Sequence, residues 1–125
     1  TYMMSLGYDE VARVCLTHSF NDQVMEDYIG KKDTTDAEYE QIQNALHKIS
    51  MDEYDRLIQL CDAIAGADGV LDITERMADV RRRYGSYPTQ KWNQNLLLKK
   101  YFEEKTGDEI YNIVERLPIN RNYYL

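Results

Sequence analysis

Proline, glycine, cysteine and long apolar runs are all scarce in this chain of 125 residues, which has 2 prolines, 6 glycines and 2 cysteines. Because no apolar run approaches the roughly 20 residues that cross a bilayer, the sequence predicts no membrane-spanning helix. No basic stretch followed by an apolar one opens the chain, so no secretory signal is visible. No repeat or low-complexity linker divides it. We therefore expect a soluble, cytoplasmic protein and one domain of ordinary size.

Positive charge is also in short supply. The chain has 15 Lys and Arg against 22 Asp and Glu, which gives a formal net charge of −7. Proteins that bind a nucleic-acid duplex normally use a basic face to release phosphate counterions, and a membrane binder needs a similar face. The acidic balance argues against both kinds of partner. It leaves open a local basic pocket for one small phosphate compound.

The two cysteines, Cys15 and Cys61, both fall at apolar positions of predicted helices. Free cysteine is among the most frequently buried residues, so these positions predict buried side chains. A single disulfide is compatible with the count. Two buried thiols in a reducing cytosol are the simpler interpretation.

Apolar residues at helical spacing make up most of what remains, since 43% of the chain is hydrophobic and 30% is charged. This pattern predicts an all-α bundle of about six helices with short loops and no alternating strand. Thr35 with Glu38, and Ser50 with Glu53, have the spacing of capping boxes. The helix after Ser50 is predicted to face the core with five residues: Tyr54, Leu57, Ile58, Cys61 and Ile64.

Glycines and aromatic residues complete the prediction. Gly66, Gly85 and Gly107 are placed to end helices, and residues 67–70 are predicted to form a turn. The chain also has 11 tyrosines and one tryptophan, Trp92, which we expect to be exposed. Because aromatic residues are enriched in interface cores, these residues indicate a homo-oligomer surface.

Two polar residues interrupt predicted apolar helix faces and are the first candidates for a site. His18 follows Val14 by one helical turn, and Asp62 lies within Leu60-Cys61-Asp62-Ala63-Ile64. A buried carboxylate without a partner is strongly disfavoured, so Asp62 must face water, a cation or a metal. Helical bundles build metal sites from side chains on facing helices, and a His and an Asp placed in this way would be suitable ligands.

Each of these candidates also has a purely structural interpretation. A single histidine on an apolar face is more often a satisfied core residue than a ligand, and Asp62 could form a salt bridge with Arg76 or Arg82. One His and one Asp are also fewer than the three protein ligands typical of zinc sites. Four arginines could bind a phosphate through their planar guanidinium groups: Arg76, Arg81, Arg82 and Arg83. Arg76 is the best placed, because it lies one turn into the helix that follows Asp62.

Other catalytic patterns are missing from the sequence. It has no Cys-x-x-Cys, no His-Glu-x-x-His, no nucleophile elbow and no Gly-rich phosphate loop. Ser19 follows His18 directly, a spacing that does not suggest a hydroxyl nucleophile and its base. His47, near a helix end beside Lys48, is expected to be exposed.

Two strings of sequence carry a family resemblance. The segment from Ser5 to Phe20, which ends in Thr-His-Ser-Phe, and the segment from Tyr54 to Ala63, which contains Leu-Cys-Asp-Ala, occur at a characteristic distance. Together with residues 81–85 and 99–103, they resemble small bacterial HD-domain hydrolases, which are metal-dependent phosphohydrolases. The resemblance covers nearly all of residues 1–125.

The resemblance implies a fold and a chemistry. Members of that family are all-α domains that hold one or two divalent metals through a His, a His-Asp pair, optional histidines and a distal Asp. Asp62 matches the distal Asp ligand, His18 matches an optional histidine, and Arg76 is similar to a position that faces the substrate phosphate. The expected cofactor is Mn, Fe, Mg or Zn, and the expected substrate is a nucleotide-like or other small phosphate ester.

This chain departs from the family pattern at one point. No His-Asp pair occurs in it, so we expect the pair to lie upstream of Thr1 and residues 1–125 to be the C-terminal portion of one HD-type domain. In that case an apolar face would be left uncovered, which predicts self-association. Two alternatives stay open: a non-catalytic HD-like module that binds a nucleotide or regulates a partner, and a plain helical interaction domain.

Overall fold

The computed structural model describes residues 2–25, 28–29 and 31–116. Within them the chain forms seven helices and one short hairpin, so the predicted all-α class is confirmed. The helices are α1 (Tyr2–Ser5), α2 (Asp9–Thr17), α3 (Asp36–Lys48), α4 (Glu53–Ile64), α5 (Ile73–Tyr84), α6 (Thr89–Thr106) and α7 (Ile110–Arg116). The two strands are β1 (Ala65–Gly66) and β2 (Gly69–Val70). None of these helices is both long enough and apolar enough to cross a membrane.

Helix starts follow local hydrogen bonding. Thr35 and Glu38 form the predicted capping box at the start of α3. The box predicted for Ser50 and Glu53 is wrong, because α4 is capped two residues later by Asp52 and Asp55. The Asp52 carboxylate accepts the Asp55 backbone N–H at 3.1 Å, and the Asp55 carboxylate accepts the Asp52 N–H at 2.9 Å. Two short carboxylates replace the hydroxyl and the longer Glu because both can accept from the free amides of the first turn.

The connection between α4 and α5 is a hairpin where a turn was predicted. Strands β1 and β2 pair antiparallel, with Ala65 opposite Val70 and Gly66 opposite Gly69. Gly66 therefore lies in a strand and does not end α4, whereas Gly85 and Gly107 end α5 and α6 in the left-handed conformation as predicted. A Cβ on Gly66 would lie 2.7 Å from the Leu71 Cδ1 atom, so a larger residue here would require the exposed Leu71 side chain to move.

The main hydrophobic core joins α4 to the three helices that follow it. Its buried members are Leu60, Ile64, Ile73, Met77, Leu98, Phe102 and Ile110. Trp92 is half-buried and packs against this core, so its predicted exposure is wrong. The indole meets the Tyr87 ring edge-on at 5.7 Å and lies 5.5 Å from the Arg81 guanidinium carbon, and these contacts cover it. A second cluster of Phe20, Met25 and Leu46 packs α3 against the residues after α2.

The contact between α2 and α4 is polar instead. The Thr17 hydroxyl donates to the buried Asp55 carboxylate at 3.1 Å. The Gln59 amide donates to the Thr17 carbonyl at 3.0 Å, and Arg13 pairs with Asp52 at 3.1 Å. Asp55 and Gln59 occupy the buried face of α4, where apolar residues were predicted.

Because α4 buries this polar face, an apolar stripe of the same helix is exposed to solvent. Of the five residues predicted to face the core, only Ile64 is buried, and the other four are exposed: Tyr54, Leu57, Ile58 and Cys61. Three of these exposed residues line a groove together with apolar residues of α2, and we call it the outer groove: Tyr54, Ile58 and Cys61 with Val11, Val14 and Cys15. Cys15 and Cys61 are both free and exposed, so the predicted burial of the thiols is wrong. His47 is exposed, as predicted.

Candidate functional site

One polar cavity of about 250 Å³ brings the three predicted site residues together. Its wall is built from residues that follow α2, from α4 and α5, from the loop before α6 and from the first turns of α6. His18, Asp62 and Arg76 all line it, although 44 residues separate the first two along the chain. These helices meet at the cavity because α4 contacts α2 on one side and packs against α5 and α6 in the main core on the other. We call this the site cavity.

His18 ends α2, and its ring orientation is set by a hydrogen bond to the backbone. Its Nδ1 atom lies 2.8 Å from the Cys15 carbonyl oxygen. A carbonyl can only accept, so Nδ1 carries the proton and the lone pair of the neutral ring lies on Nε2. A backbone carbonyl that holds the far ring nitrogen is the arrangement typical of metal-binding histidines.

Asp62 lies in the last turn of α4 and is exposed. Within the part of the chain that the structure describes, its carboxylate makes no hydrogen bond and no ion pair. The salt bridge considered with Arg76 or Arg82 is not formed, since Arg82 pairs with Asp79. The Asp62 charge nevertheless acts on its neighbours. The pKa of the Cys61 thiol is raised by burial and, to a smaller degree, by the Asp62 carboxylate.

Arg76 is held in place by the hairpin. Its Nε atom donates to the Ala65 carbonyl at 2.7 Å, which directs the guanidinium from the side of α5 toward the cavity wall. Its Nη1 atom is buried, and no residue in the described ranges accepts its hydrogen bonds. Because a buried donor without a partner is costly, this atom marks a place where an acceptor from a ligand would be stabilising.

Further positive charge lines the same cavity. The Arg83 side chain contributes to the wall and pairs with Asp79 at 2.9 Å. The Lys91 ammonium, also in the wall, donates to the Ser19 carbonyl at 2.7 Å. With Arg76, these residues place three cations around one cavity of a chain whose net charge is −7. This is the local basic pocket that composition left open.

Uncharged polar residues of the wall were not predicted from the sequence, among them Asn21, Gln59, Tyr87 and Asn95. Asn21 donates to the Asn95 side-chain carbonyl at 2.7 Å, and Asn95 donates to the Tyr87 hydroxyl at 2.9 Å. Asn95 is buried, and it stands in the apolar stripe of α6 between Trp92 and Leu98. A polar residue at a core position was the signal that singled out His18, and the same test would have found Asn95.

The residues present fit a divalent metal only in part. His18, through Nε2, and the Asp62 carboxylate are suitable donors, and they line both the site cavity and an adjoining one. Among the described residues, however, no group of three or more His, Cys, Asp or Glu side chains could hold a metal ion. These two residues can therefore supply two donors, and the remaining positions need other ligands.

Comparison with known proteins adds no identification: no family model, no curated protein and no solved structure matches this chain.

Proposed function

We propose that the site cavity binds the phosphate group of a small, nucleotide-like phosphate ester, and that the protein is a metal-dependent phosphohydrolase of the HD type. One observation carries the proposal. His18, Asp62 and Arg76, selected from the sequence for metal and phosphate chemistry, line a single cavity in which an Arg76 donor lacks a partner. The family resemblance supports the hydrolytic part, and the cavity supports the binding part.

In this proposal, different residues of the cavity bind the phosphate and the metal ion. The Arg76 guanidinium binds the phosphoryl oxygens, and its geometry favours two parallel hydrogen bonds to one phosphate. Arg83 and Lys91 lower the electrostatic cost of bringing an anion into the cavity. His18 Nε2 and the Asp62 carboxylate hold a Mn, Fe, Mg or Zn ion together with other ligands. When bound, that ion supplies an activated water and neutralises charge on the phosphate. Phosphoryl transfer of this kind requires no nucleophile from the protein.

Metal binding and turnover test the role of Asp62. The Asp62→Asn variant removes the carboxylate charge with little change in shape, and Asp68→Asn makes the same change in the exposed turn of the hairpin, outside the cavity wall. In the complete protein, which includes the expected upstream His-Asp pair, Asp62→Asn should weaken Mn²⁺ binding by at least tenfold in calorimetry. It should also abolish Mn²⁺-dependent release of phosphate from nucleoside monophosphates. Asp68→Asn should match the wild type. Unchanged metal affinity and turnover in Asp62→Asn would refute the metal site.

Phosphate affinity tests the role of Arg76. Arg82 is the control position, because it lies on the same helix but outside the cavity wall. Its partner Asp79 also pairs with Arg83, and that second ion pair would remain in an Arg82 variant. Arg76→Gln should weaken binding of a nucleoside monophosphate by about tenfold or more, because a charged hydrogen bond contributes roughly 1.5–3 kcal/mol. Arg82→Gln should leave the affinity within twofold. Equal losses in the two variants would mean that net charge, and not this cavity, governs binding.

One observation favours a second function, a non-catalytic module that binds a nucleotide or regulates a partner. Within the described residues the metal donors number two, whereas the cations of the cavity number three. Such a module would bind nucleoside monophosphates saturably and release no phosphate in the presence of Mn²⁺. The turnover assay above, run beside the binding assay on the same preparation, separates the two functions.

A further inference from the structure

Tyr87 is placed at the site cavity by the short loop between α5 and α6. Its half-buried ring packs against the main core and meets Trp92 edge-on at 5.7 Å, so the ring has little freedom to move. Tyr87 lines the cavity together with Asp62, Arg76 and its hydrogen-bond partner Asn95. The packing of the ring therefore fixes the position of the hydroxyl oxygen.

The hydrogen bonds behind Tyr87 all run in one direction. Asn21 donates to Asn95, and Asn95, which is 2% exposed, donates to the Tyr87 oxygen. The phenol oxygen thus acts as an acceptor for Asn95 and retains its own proton. No residue among those that the structure describes accepts that proton. A donor that is oriented by a buried amide and lines a cationic cavity is suited to an oxygen atom of a ligand.

The phenol also stays protonated over the whole physiological range. Burial raises the pKa of Tyr87 to about 12, and the nearby Asp62 carboxylate contributes to the increase. Arg76 lowers that pKa slightly, which places Tyr87 within electrostatic reach of both predicted site residues. Tyr87 is therefore an uncharged donor at any pH at which the protein would work.

We propose that Tyr87 is a further phosphate-binding residue of the site cavity, which donates a hydrogen bond from its hydroxyl to an oxygen of the bound phosphate, and that Asn21 positions it through Asn95. This inference rests on the proposed function, because it names a further contact with the same ligand. It assigns two kinds of donor to the phosphate: a cationic one at Arg76, and a neutral, directional one at Tyr87.

The two donors differ in their response to salt. The attraction of Arg76 for a phosphate is partly a charge interaction, which added salt screens. A neutral hydroxyl contributes through a short hydrogen bond, so its contribution depends little on ionic strength. The loss on removing Tyr87 should therefore be the same factor at 50 mM and 500 mM NaCl, whereas the loss on removing Arg76 should shrink at the higher concentration.

The experiment measures the affinity of the whole chain for inorganic phosphate by calorimetry at pH 7, with EDTA present so that metal binding does not contribute. Tyr87→Phe keeps the ring and its packing, and we expect it to weaken phosphate binding by about tenfold at both salt concentrations. Tyr101→Phe is the matched control, because its hydroxyl donates to Glu53 on the surface, away from the cavity. That variant should bind as the wild type does.

A double-mutant cycle tests the positioning role of Asn21. Asn21→Ala should weaken phosphate binding by about threefold in the wild type and should have no further effect in Tyr87→Phe, because it acts through Tyr87. Independent losses in the two backgrounds would overturn the positioning role. Wild-type affinity in Tyr87→Phe would overturn the inference while leaving the proposed function intact. Absence of saturable phosphate binding by the wild type would instead refute the proposed function itself.

Discussion

The two interfaces of α4 are built from different chemistry. Toward α5, α6 and α7 the helix buries Leu60 and Ile64 in an apolar core. Toward α2 it buries Asp55 and Gln59, which hydrogen-bond to Thr17. An apolar interface is tolerant of small shifts, whereas a hydrogen-bonded one fixes direction and register. The site cavity lies where the two meet, so α5 and α6 supply packing while the polar contact fixes where His18 stands relative to Asp62.

The largest effect on stability should come from the apolar interface. Met77 is 1% exposed and contacts the main core, so Met77→Ala should lower the free energy of unfolding by about 3 kcal/mol through lost burial and a cavity. Met4→Ala, at a site that is 55% exposed, is the control and should stay within about 0.5 kcal/mol of the wild type. Urea denaturation followed by circular dichroism measures both. Equal effects would contradict the position of the core.

A smaller effect is expected at the polar interface. Thr17→Val keeps the shape of a fully buried side chain and removes the hydroxyl that donates to Asp55. The loss of one buried hydrogen bond should reduce the free energy of unfolding by about 1 kcal/mol. Thr74→Val, in the exposed first turn of α5, provides the comparison and should change little. A stabilised Thr17→Val variant would show that this interface does not depend on its hydrogen bonds.

Acid should weaken the start of α4, where one carboxylate caps the helix and another pairs with α6. The pKa of Asp52 lies below its ordinary value of 3.8, chiefly because the Asp55 backbone N–H bonds to its carboxylate. The pKa of Glu53 lies below 4.5, chiefly because of its hydrogen bond from Lys105. Groups with lowered pKa stabilise the fold above their ordinary values, and that stability is lost as the pH falls through the folded-state pKa. The Tm should therefore be flat from pH 7 to 5 and fall below about pH 4.

Asp52→Asn provides the control for this pH dependence. The amide cannot titrate, so the variant should have a lower Tm than the wild type at pH 7 and a shallower decline below pH 4. A decline of the same steepness in both proteins would assign the acid sensitivity to other carboxylates. Asp79 and Asp108, whose pKa values are also lowered by hydrogen bonds, would be the next to replace.

The smallest effect on stability, and the largest on association, is expected in the outer groove. Ile58 is 41% exposed there and joins the two parts of the groove, so Ile58→Glu should leave the free energy of unfolding nearly unchanged. Because exposed apolar patches promote association, we expect the wild type to self-associate and Ile58→Glu to do so less. Light scattering over a concentration series measures this. A strictly monomeric wild type would count against the groove as a contact surface.

The sequence predicted helices better than it predicted which face each helix buries. The capping box at Thr35 and the glycines that end α5 and α6 are local signals, and all were confirmed. The predicted buried face of α4 was wrong because a prediction from apolar periodicity assumes that the neighbouring helix is apolar. Instead, α2 contacts α4 through the polar side chains of Thr17 and Arg13. The exposure of both cysteines follows from the same error, since Cys61 belongs to that face.

The sequence indicated only those residues of the candidate site that are unusual in their local context. His18 and Asp62 are polar residues among apolar neighbours, and Arg76 is a cation close to Asp62 in sequence, so each stood out alone. Tyr87 did not, because a tyrosine in a loop is common, and Asn95 was overlooked although it interrupts the apolar stripe of α6. Their importance comes from a tertiary contact between residues 8 positions apart and a further link to Asn21, 74 positions away. Local sequence patterns do not predict contacts between residues so far apart in the chain.

The hairpin between α4 and α5 has a consequence for how the length of this chain can change. The Ala65 carbonyl holds Arg76, and a side chain added at Gly66 would displace the Leu71 side chain. Extra residues at positions 67–68, the tip of the hairpin, would extend into solvent and leave the carbonyl in place. An insertion one or two positions earlier would carry the carbonyl away from the guanidinium. The loop is therefore free to lengthen at its tip and constrained at its base, where a backbone carbonyl holds the Arg76 side chain.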